Sequence, residues 1–229
     1  DNTLIPITAD LPSSPTIHPD GTITQDATTQ GGSTTYTALE ARPQPVQTNG
    51  TAFTHHIRTP EDPNLHFCTT TGEGHVNLTS YPSFDVDHTL KAHASSCLSV
   101  GLAPNGRYIA TGGSDALITL WDTTDLICQR TLFSEYGGAV RGLSWSFDGR
   151  YICGACDEAG CGGNGLEIFH AETGEIVHTI PTGGGPNTGI SDVAWHPTRY
   201  WLAYSITADG PGGVSSPGLR IVGAAGGSL

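Results

Sequence analysis

Methionine is absent from the sequence, and lysine occurs once, at Lys91. A natural translation product begins with methionine, so the chain is expected to be a segment of a longer protein. Lys and Arg together number 9 against 22 Asp and Glu, giving a formal net charge of −13, and charged residues make only 14% of the total. Direct nucleic-acid binding needs a basic face to neutralise phosphates, and this composition offers none. No apolar run approaches the ~18 residues of a membrane-spanning helix, and no secretory leader is legible. G-x-S-x-G, P-loop and H-E-x-x-H patterns are missing as well, which removes the hydrolase, nucleotide and zinc-protease readings that those spacings carry.

What is plentiful is Gly (31) and Pro (15), a bias towards turns and short strands. The six cysteines, at 68, 97, 128, 153, 156 and 161, are even in number, but the chain is too long to read as a disulfide scaffold. Several stand in strand-like runs, where a thiol serves as a small apolar filler, so all six are read as reduced. The sequons at Asn49 and Asn77 would matter only in a secreted protein. Residues 1–61 are rich in Thr, Ser, Pro and Gly and show no useful periodicity. They cannot bury enough apolar surface to offset the entropy of ordering, and are expected to form a linker or insertion.

From about residue 65 short apolar alternations follow one another, separated by turn residues. "VGLAPNGRYIATGG" and "LSWSFDGRYICGAC" share a strand, a turn with Gly and an Arg-Tyr-Ile start to the next strand, with Gly106 and Gly149 43 residues apart. A third copy, "DVAWHPTRYWLAYS", places Arg199-Tyr200 49 residues beyond Arg150-Tyr151. A period of about 40–45 residues with four strands per unit marks WD-repeat propeller blades. The enlarged loop "CDEAGCGGNG" accounts for the longer second interval.

In the clearest repeat His93, Thr111, Asp115 and Trp121 fall where WD blades carry a His–Ser/Thr–Asp–Trp tetrad. The carboxylate of Asp115 is expected to take an imidazole N–H, and the Thr111 hydroxyl to join the imidazole to the indole of Trp121. Each buried donor then has an acceptor, so the four residues read as structural and not as a catalytic triad. Other repeats have lost the tetrad: Phe169-His170 and Ile221-Val222 are read in place of Trp-Asp.

The fold class is therefore all-β: about four four-stranded blades, three of full length and one partial, of a seven-bladed WD-repeat β-propeller. Residues 62–229 form the C-terminal part of the ring. The partial first blade supplies two middle strands and the approach to a third. The last blade has three strands and lacks its fourth. Open edges invite aggregation, so the rest of the ring is expected from sequence outside the chain.

Cys153, Cys156 and Cys161 form C-x2-C-x4-C, a zinc-like spacing, but two of them align inside a strand and its exit, so no metal is assigned. "GCGGNG" (160–165) matches G-x-G-x-x-G with no helix to follow it, so no phosphate cradle results. Two long loops, 156–165 and 206–218, interrupt the same hairpin in consecutive repeats and should project from one face. Asp157, Glu158, Asn164, Asp209 and Val214 in these loops are the candidate partner-binding residues. Catalytic residues and cofactors are read as none. Arg107, Arg150 and Arg199 share one turn position, which points to strand geometry before a peptide-reading cage.

"TGGSDALITLWDTTDLIC", "AVRGLSWSFDGRYI", "AETGEIVHTI" and "VAWHP", preceded by "GEGHVNLTSYPSF" and "KAHASSC", resemble the WD-repeat subunit family of the THO complex over about residues 62–223. That resemblance implies a non-catalytic scaffold in the nucleus, part of the THO complex and the larger TREX assembly. Those assemblies couple transcription elongation to mRNA processing and nuclear export. The implied partners are other THO/TREX subunits, with RNA reached indirectly and no membrane or small-molecule substrate. A WD-repeat peptide reader or adaptor, in a histone or signalling complex, is the alternative.

Overall fold

In the computed structural model the chain divides into two units, residues 1–45 and 46–229. The structure describes the backbone of residues 16–17, 23–29 and 32–37, and residues 46–54, 65–81, 83–134, 137–156, 165–182, 188–207 and 218–223. The first unit carries a three-stranded antiparallel sheet of β1 (Thr16–Ile17), β2 (Ile23–Thr29) and β3 (Gly32–Thr37). These strands lie within the segment expected to be a linker or insertion. The β2 and β3 segments, ITQDATT and GSTTYT, are dense in β-branched threonine, which favours extended backbone even without a clear apolar alternation.

The second unit is four antiparallel sheets in chain order. Blade 1 is β4 (Thr48–Phe53), β5 (Leu65–Thr71), β6 (His75–Tyr81) and β7 (Val86–Lys91); blade 2 is β8 (Cys97–Leu102), β9 (Tyr108–Gly113), β10 (Leu117–Asp122) and β11 (Cys128–Phe133). Blade 3 is β12 (Val140–Trp145), β13 (Tyr151–Cys156), β14 (Leu166–His170) and β15 (Ile176–Ile180); blade 4 is β16 (Ile190–Trp195), β17 (Trp201–Ile206) and β18 (Gly218–Gly223). Blade 1 is thus four-stranded, and its inner strand β4 lies before the expected domain boundary at 61/62. The segment TNGTAF is polar and interrupted by Gly50, which conceals it as a strand. A side chain at Gly50 would stand 3.2 Å from the Leu98 carbonyl oxygen of the neighbouring blade.

Successive blades stack face to face, and their inner strands pack in the order β4, β8, β12, β16. Side chains of a strand alternate between its two faces. Ile109 and Trp121 of blade 2 face Cys68 and Leu78 of blade 1, while Ala110, Ile118, Leu120 and Leu132 face Ile152 and Phe169 of blade 3. The third junction sets Leu166, Ile168 and Ile180 against Leu202, Tyr204 and Trp195. A middle strand is therefore apolar on both faces, and all six residues of β9 are buried. Polar stitches run along the inner strands. The Asn49 amide donates to the Cys97 carbonyl (2.8 Å), Ser99 Oγ to the Val140 carbonyl (3.0 Å), and Trp145 Nε1 to the Gly101 carbonyl (3.1 Å). The Trp195 backbone N–H donates to Ser144 Oγ (2.9 Å).

Registers correct the repeat alignment at blade 4. The Ala103, Ser146 and His196 N–H groups donate to the carbonyls of Tyr108, Tyr151 and Trp201, so Trp201, not Tyr200, occupies the first position of its strand. The Arg-Tyr pair has slid by one because Arg199 stands where Gly106 and Gly149 close the other turns. Tyr200 instead donates to Asp148 Oδ2 (2.7 Å) and so ties blade 4 to blade 3. By the same register Val222-Gly223, not Ile221-Val222, replaces Trp121-Asp122.

Cysteines 68, 97, 128 and 153 are free, but Cys156 is disulfide-bonded, against the reduced reading of all six. Burial pushes the Cys68 and Cys97 thiols up to about 12, and raises Cys153 further still. Of the four free thiols Cys128 alone is exposed. Alkylation of the native chain at neutral pH followed by peptide mass mapping should modify Cys128 and spare the other three free thiols until denaturant is added. Modification of Cys68, Cys97 or Cys153 at a comparable rate would contradict the doubly covered strands.

Burial acts to raise the Asp148 carboxyl, but hydrogen bonds from Tyr200, Ser146 and the Arg150 N–H outweigh it and hold the group below the ordinary carboxylate range. A depressed folded-state value adds stability that is fully present above about pH 4, the unfolded value, and is lost as pH falls through the lower folded one. Thermal melts of wild type and Asp148→Asn should differ at neutral pH and converge as the medium is acidified below about pH 4. A gap independent of pH would show that the carboxylate is not the stabilising species.

Candidate functional site: a buried polar relay and two interrupted hairpins

Asp115 occupies the β9–β10 turn, beside Ala116 at φ 67°. His93 lies in the connection that brings the chain from β7 into β8. Its Nδ1 stands 2.9 Å from Asp115 Oδ1, and its Nε2 is 2.8 Å from Thr111 Oγ1. The hydroxyl of Thr111 does not reach the indole as expected. Thr119 Oγ1 lies between them, 2.6 Å from Thr111 Oγ1, and accepts from Trp121 Nε1 at 2.8 Å.

Donor counting sets the direction of this relay. A carboxylate only accepts, so His93 carries its proton on Nδ1 and accepts at Nε2. Trp121 then donates to Thr119, Thr119 to Thr111, Thr111 to His93 and His93 to Asp115, so each hydroxyl gives one hydrogen bond and takes one. Asp115 also accepts from the backbone N–H groups of Ala94 and Leu117, at 3.3 Å each. The close approach requires glycine at 113, where a Cβ would fall 2.3 Å from His93 Nδ1 and 2.4 Å from Asp115 Oδ1.

An Asp–His–hydroxyl sequence has the connectivity of a hydrolase triad, but its accessibility is wrong. Thr111 has no exposed surface, and the His93 side chain is fully buried. The hydroxyl is spent on the imidazole and cannot meet a substrate. The relay instead fastens the β7–β8 connection of one blade boundary to the β9–β10 turn.

Equivalent positions in the other blades have lost the relay. Thr111, Thr119 and Trp121 correspond to Thr69, Asn77 and Thr79 in blade 1, to Gly154, Glu167 and Phe169 in blade 3, and to Tyr204, Arg220 and Val222 in blade 4. Thr119 was missed by sequence reading, although a hydroxyl two residues before Trp121 on one strand shares the tryptophan's face. Also unforeseen is a hollow of about 640 Å3 between blade 1 and the end of β8 in blade 2, lined by Phe53, Phe67, Tyr81, Phe84 and Leu102 among others.

The loops expected to form a partner lip connect β13 to β14 and β17 to β18, the second and third strands of adjacent sheets. Asp157, Glu158, Asn164, Asp209 and Val214 lie outside the described residues. The zinc-like cysteines are spent otherwise: Cys153 is a buried free thiol within β13, and the disulfide of Cys156 takes its sulfur out of metal reach.

Asp115→Ala leaves the imidazole N–H without an acceptor in a buried site, at a cost of about 1–3 kcal/mol. Thr119→Val, which breaks the relay at its centre, should cost a similar amount, on the order of 1–3 kcal/mol. Denaturant titrations of both variants check this, and unchanged stability in either would remove the relay as a stabilising element.

Comparisons with known proteins agree with this geometry. The WD domain, G-beta repeat family matches residues 84–122, and the anaphase-promoting complex subunit 4 WD40 domain family matches 130–198. Among curated proteins, THO complex subunit 3 of Arabidopsis thaliana is 37% identical over 143 residues, 62% of this chain and 42% of that protein. WD repeat-containing protein AAC3 of Dictyostelium discoideum is 33% identical over 51% of this chain and 22% of its own length. The chain thus spans less than half the length of these relatives. Among solved structures, the Cps50 (Swd1) β-propeller domain of Myceliophteria thermophila superposes with a TM-score of 0.57 at 16% identity, covering 80% of this chain and 59% of that one. The RRP9 WD40 repeats give 0.56 at 15% identity, over 72% and 48%. With its registers, its relay and these matches, the chain is built of β-propeller blades, matches WD-repeat family models over residues 84–122 and 130–198, and resembles THO complex subunit 3.

Proposed function

We propose that this chain is a non-catalytic scaffold subunit of a THO complex, within the TREX assembly, and that it acts in the nucleus. In that role it helps couple transcription elongation to mRNA processing and export. Its partners are other THO/TREX subunits, and RNA is reached through them and not by direct contact. The likeness to THO complex subunit 3 carries this reading. A net charge of −13 supports it, since an acidic surface repels phosphate. So does the burial of the one triad-like hydroxyl, Thr111, which leaves the relay a structural task.

Docking is assigned to the loops 156–165 and 206–218, which leave adjacent sheets at equivalent hairpins. Affinity isolation of the tagged protein from nuclear extract, with nuclease present, should recover large THO subunits in fixed proportion. Replacement of residues 208–217 by Asn-Gly, which leaves a three-residue hairpin connection between the paired Ile206 and Gly218, should reduce that recovery several-fold while leaving the thermal midpoint nearly unchanged. Recovery of histone or signalling proteins in place of THO subunits would favour a general WD-repeat adaptor instead.

A further inference from the structure

The hairpins between the second and third strands of blades 2, 3 and 4 are fastened by three different chemistries. In blade 2 the tie is the His93–Asp115 pair, which joins the β9–β10 turn to the connection entering β8. In blade 4 it is Thr207, at the start of the β17–β18 connection. Its hydroxyl accepts from the Gly189 N–H at 2.8 Å and donates to the Gly189 carbonyl at 3.2 Å, holding the connection that enters β16. In blade 3 it is a disulfide at Cys156, the last residue of β13.

Register explains why blade 3 departs. Cys156 pairs with Val140 as Gly113 pairs with Cys97, each at the first residue of its inner strand. A Cβ at position 113 would stand 2.3 Å from His93 Nδ1 and 2.4 Å from Asp115 Oδ1. The β carbon of Cys156 therefore takes the space that the imidazole–carboxylate pair uses in blade 2. Gly154 stands where Thr111 supplies the hydroxyl. Cysteines 68, 97, 128 and 153 are free, so Cys161, outside the described residues, is the one partner left for Cys156. A Cys156–Cys161 bond closes a ring of six residues, 156–161, and leaves residues 162–165 to reach Leu166. Without the bond, the nine residues 157–165 span the same gap.

We propose that Cys156 and Cys161 form a dithiol–disulfide switch that sets the length of the β13–β14 connection and its access to other proteins. The reductant is a protein dithiol of the thioredoxin class. One of its thiolates attacks a sulfur of the pair, the Cys156–Cys161 bond breaks as a mixed disulfide forms, and its second thiolate displaces the remaining protein thiolate. Two electrons and two protons pass to Cys156 and Cys161, and the reductant leaves as its own disulfide. Glutathione disulfide reverses the step by two exchanges and leaves as two molecules of glutathione. Access favours this pair: Cys156 is half-buried, whereas Cys68, Cys97 and Cys153 have no exposed surface. The consequence for docking rests on the assignment of partner binding to residues 156–165. A pre-organised loop loses less entropy on association, so the oxidised form is the one that docks.

The 229-residue chain, equilibrated in glutathione buffers of graded ratio, is alkylated and mapped by mass. Cys156 and Cys161 should pass together from disulfide to alkylated thiols, while Cys68, Cys97 and Cys153 stay unmodified. A glutamate-specific protease should cleave after Glu158 several-fold faster in the reduced chain than in the oxidised one. In Cys161→Ser the cleavage rate should match the reduced chain in every buffer. A bond that resists excess dithiothreitol in the native chain would overturn the proposal. So would Cys156 joined to any cysteine but Cys161, or cleavage after Glu158 that ignores the oxidation state. Affinity isolation from nuclear extract freed of small thiols separates the switch from the THO reading. Oxidised wild type should recover THO subunits several-fold better than Cys161→Ser, and equal recovery would overturn control of docking. Recovery of none by either form would overturn the THO reading, while the thiol map and the cleavage rates still decide the switch.

Discussion

Face-to-face packing of consecutive blades is the constraint on which the rest of this structure depends. No blade has an interior of its own. Each sheet is one layer thick, and its apolar side chains are covered only when the next sheet lies on them. The middle strands therefore need apolar or small residues on both faces, as in the fully buried YIATGG of β9. Burying one large aliphatic side chain such as Ile109 or Leu120 contributes about 1.5–3 kcal/mol, and the junctions hold many. The polar stitches along the inner strands add little by comparison, about 1 kcal/mol each, but they set the stagger of one sheet against the next.

Within that frame the relay at His93 has a specific job. Apolar packing is non-directional and leaves the connections between blades free to shift. A chain of directed hydrogen bonds, each donor matched to one acceptor, fixes one connection to one turn. Blade 2 alone among the described blades carries it, yet blades 3 and 4 hold the same strand order with glycine, glutamate, tyrosine and arginine at the equivalent sites. Packing thus suffices for the architecture, and the relay adds local rigidity at the second blade. The same comparison explains why the threonine hydroxyl cannot be read as a nucleophile: its value lies in being enclosed.

Blade order, strand count in blades 2 to 4, and the positions of His93, Thr111, Asp115 and Trp121 were legible in the sequence, because turn residues and apolar alternation recur with the repeat. Three features were not. Strand β4 is polar and glycine-interrupted, and only its neighbour in space shows why. The one-residue slide at Trp201 is invisible where Arg199-Tyr200 mimics Arg150-Tyr151. It appears only in the carbonyl that accepts the turn's hydrogen bond. Thr119 was passed over because the familiar four-residue tetrad does not name it, although the length of the gap between Thr111 and Trp121 demands a bridging hydroxyl. In each case the missing information is a register or a distance across strands, which one-dimensional periodicity does not contain.

Repetition also separates what is structural from what is particular to this chain. A residue type found at the same register in several blades serves blade geometry, as the buried aliphatic positions of the third strands do. What departs from the repeat is a candidate for recognition: the lengthened second-to-third hairpins of blades 3 and 4, and the aromatic hollow between blade 1 and Leu102 of blade 2. Drift at the relay positions of blades 3 and 4 coincides with the lengthened hairpins that those positions adjoin. A turn held by an Asp–His pair must keep its length, since Asp115 has to stay within 2.9 Å of the imidazole. Once the relay is lost that restriction is lifted, and the hairpin can lengthen. Blade 1 has also lost the relay and still keeps a tight hairpin between Thr71 and His75, so loss of the network permits a longer connection without requiring one.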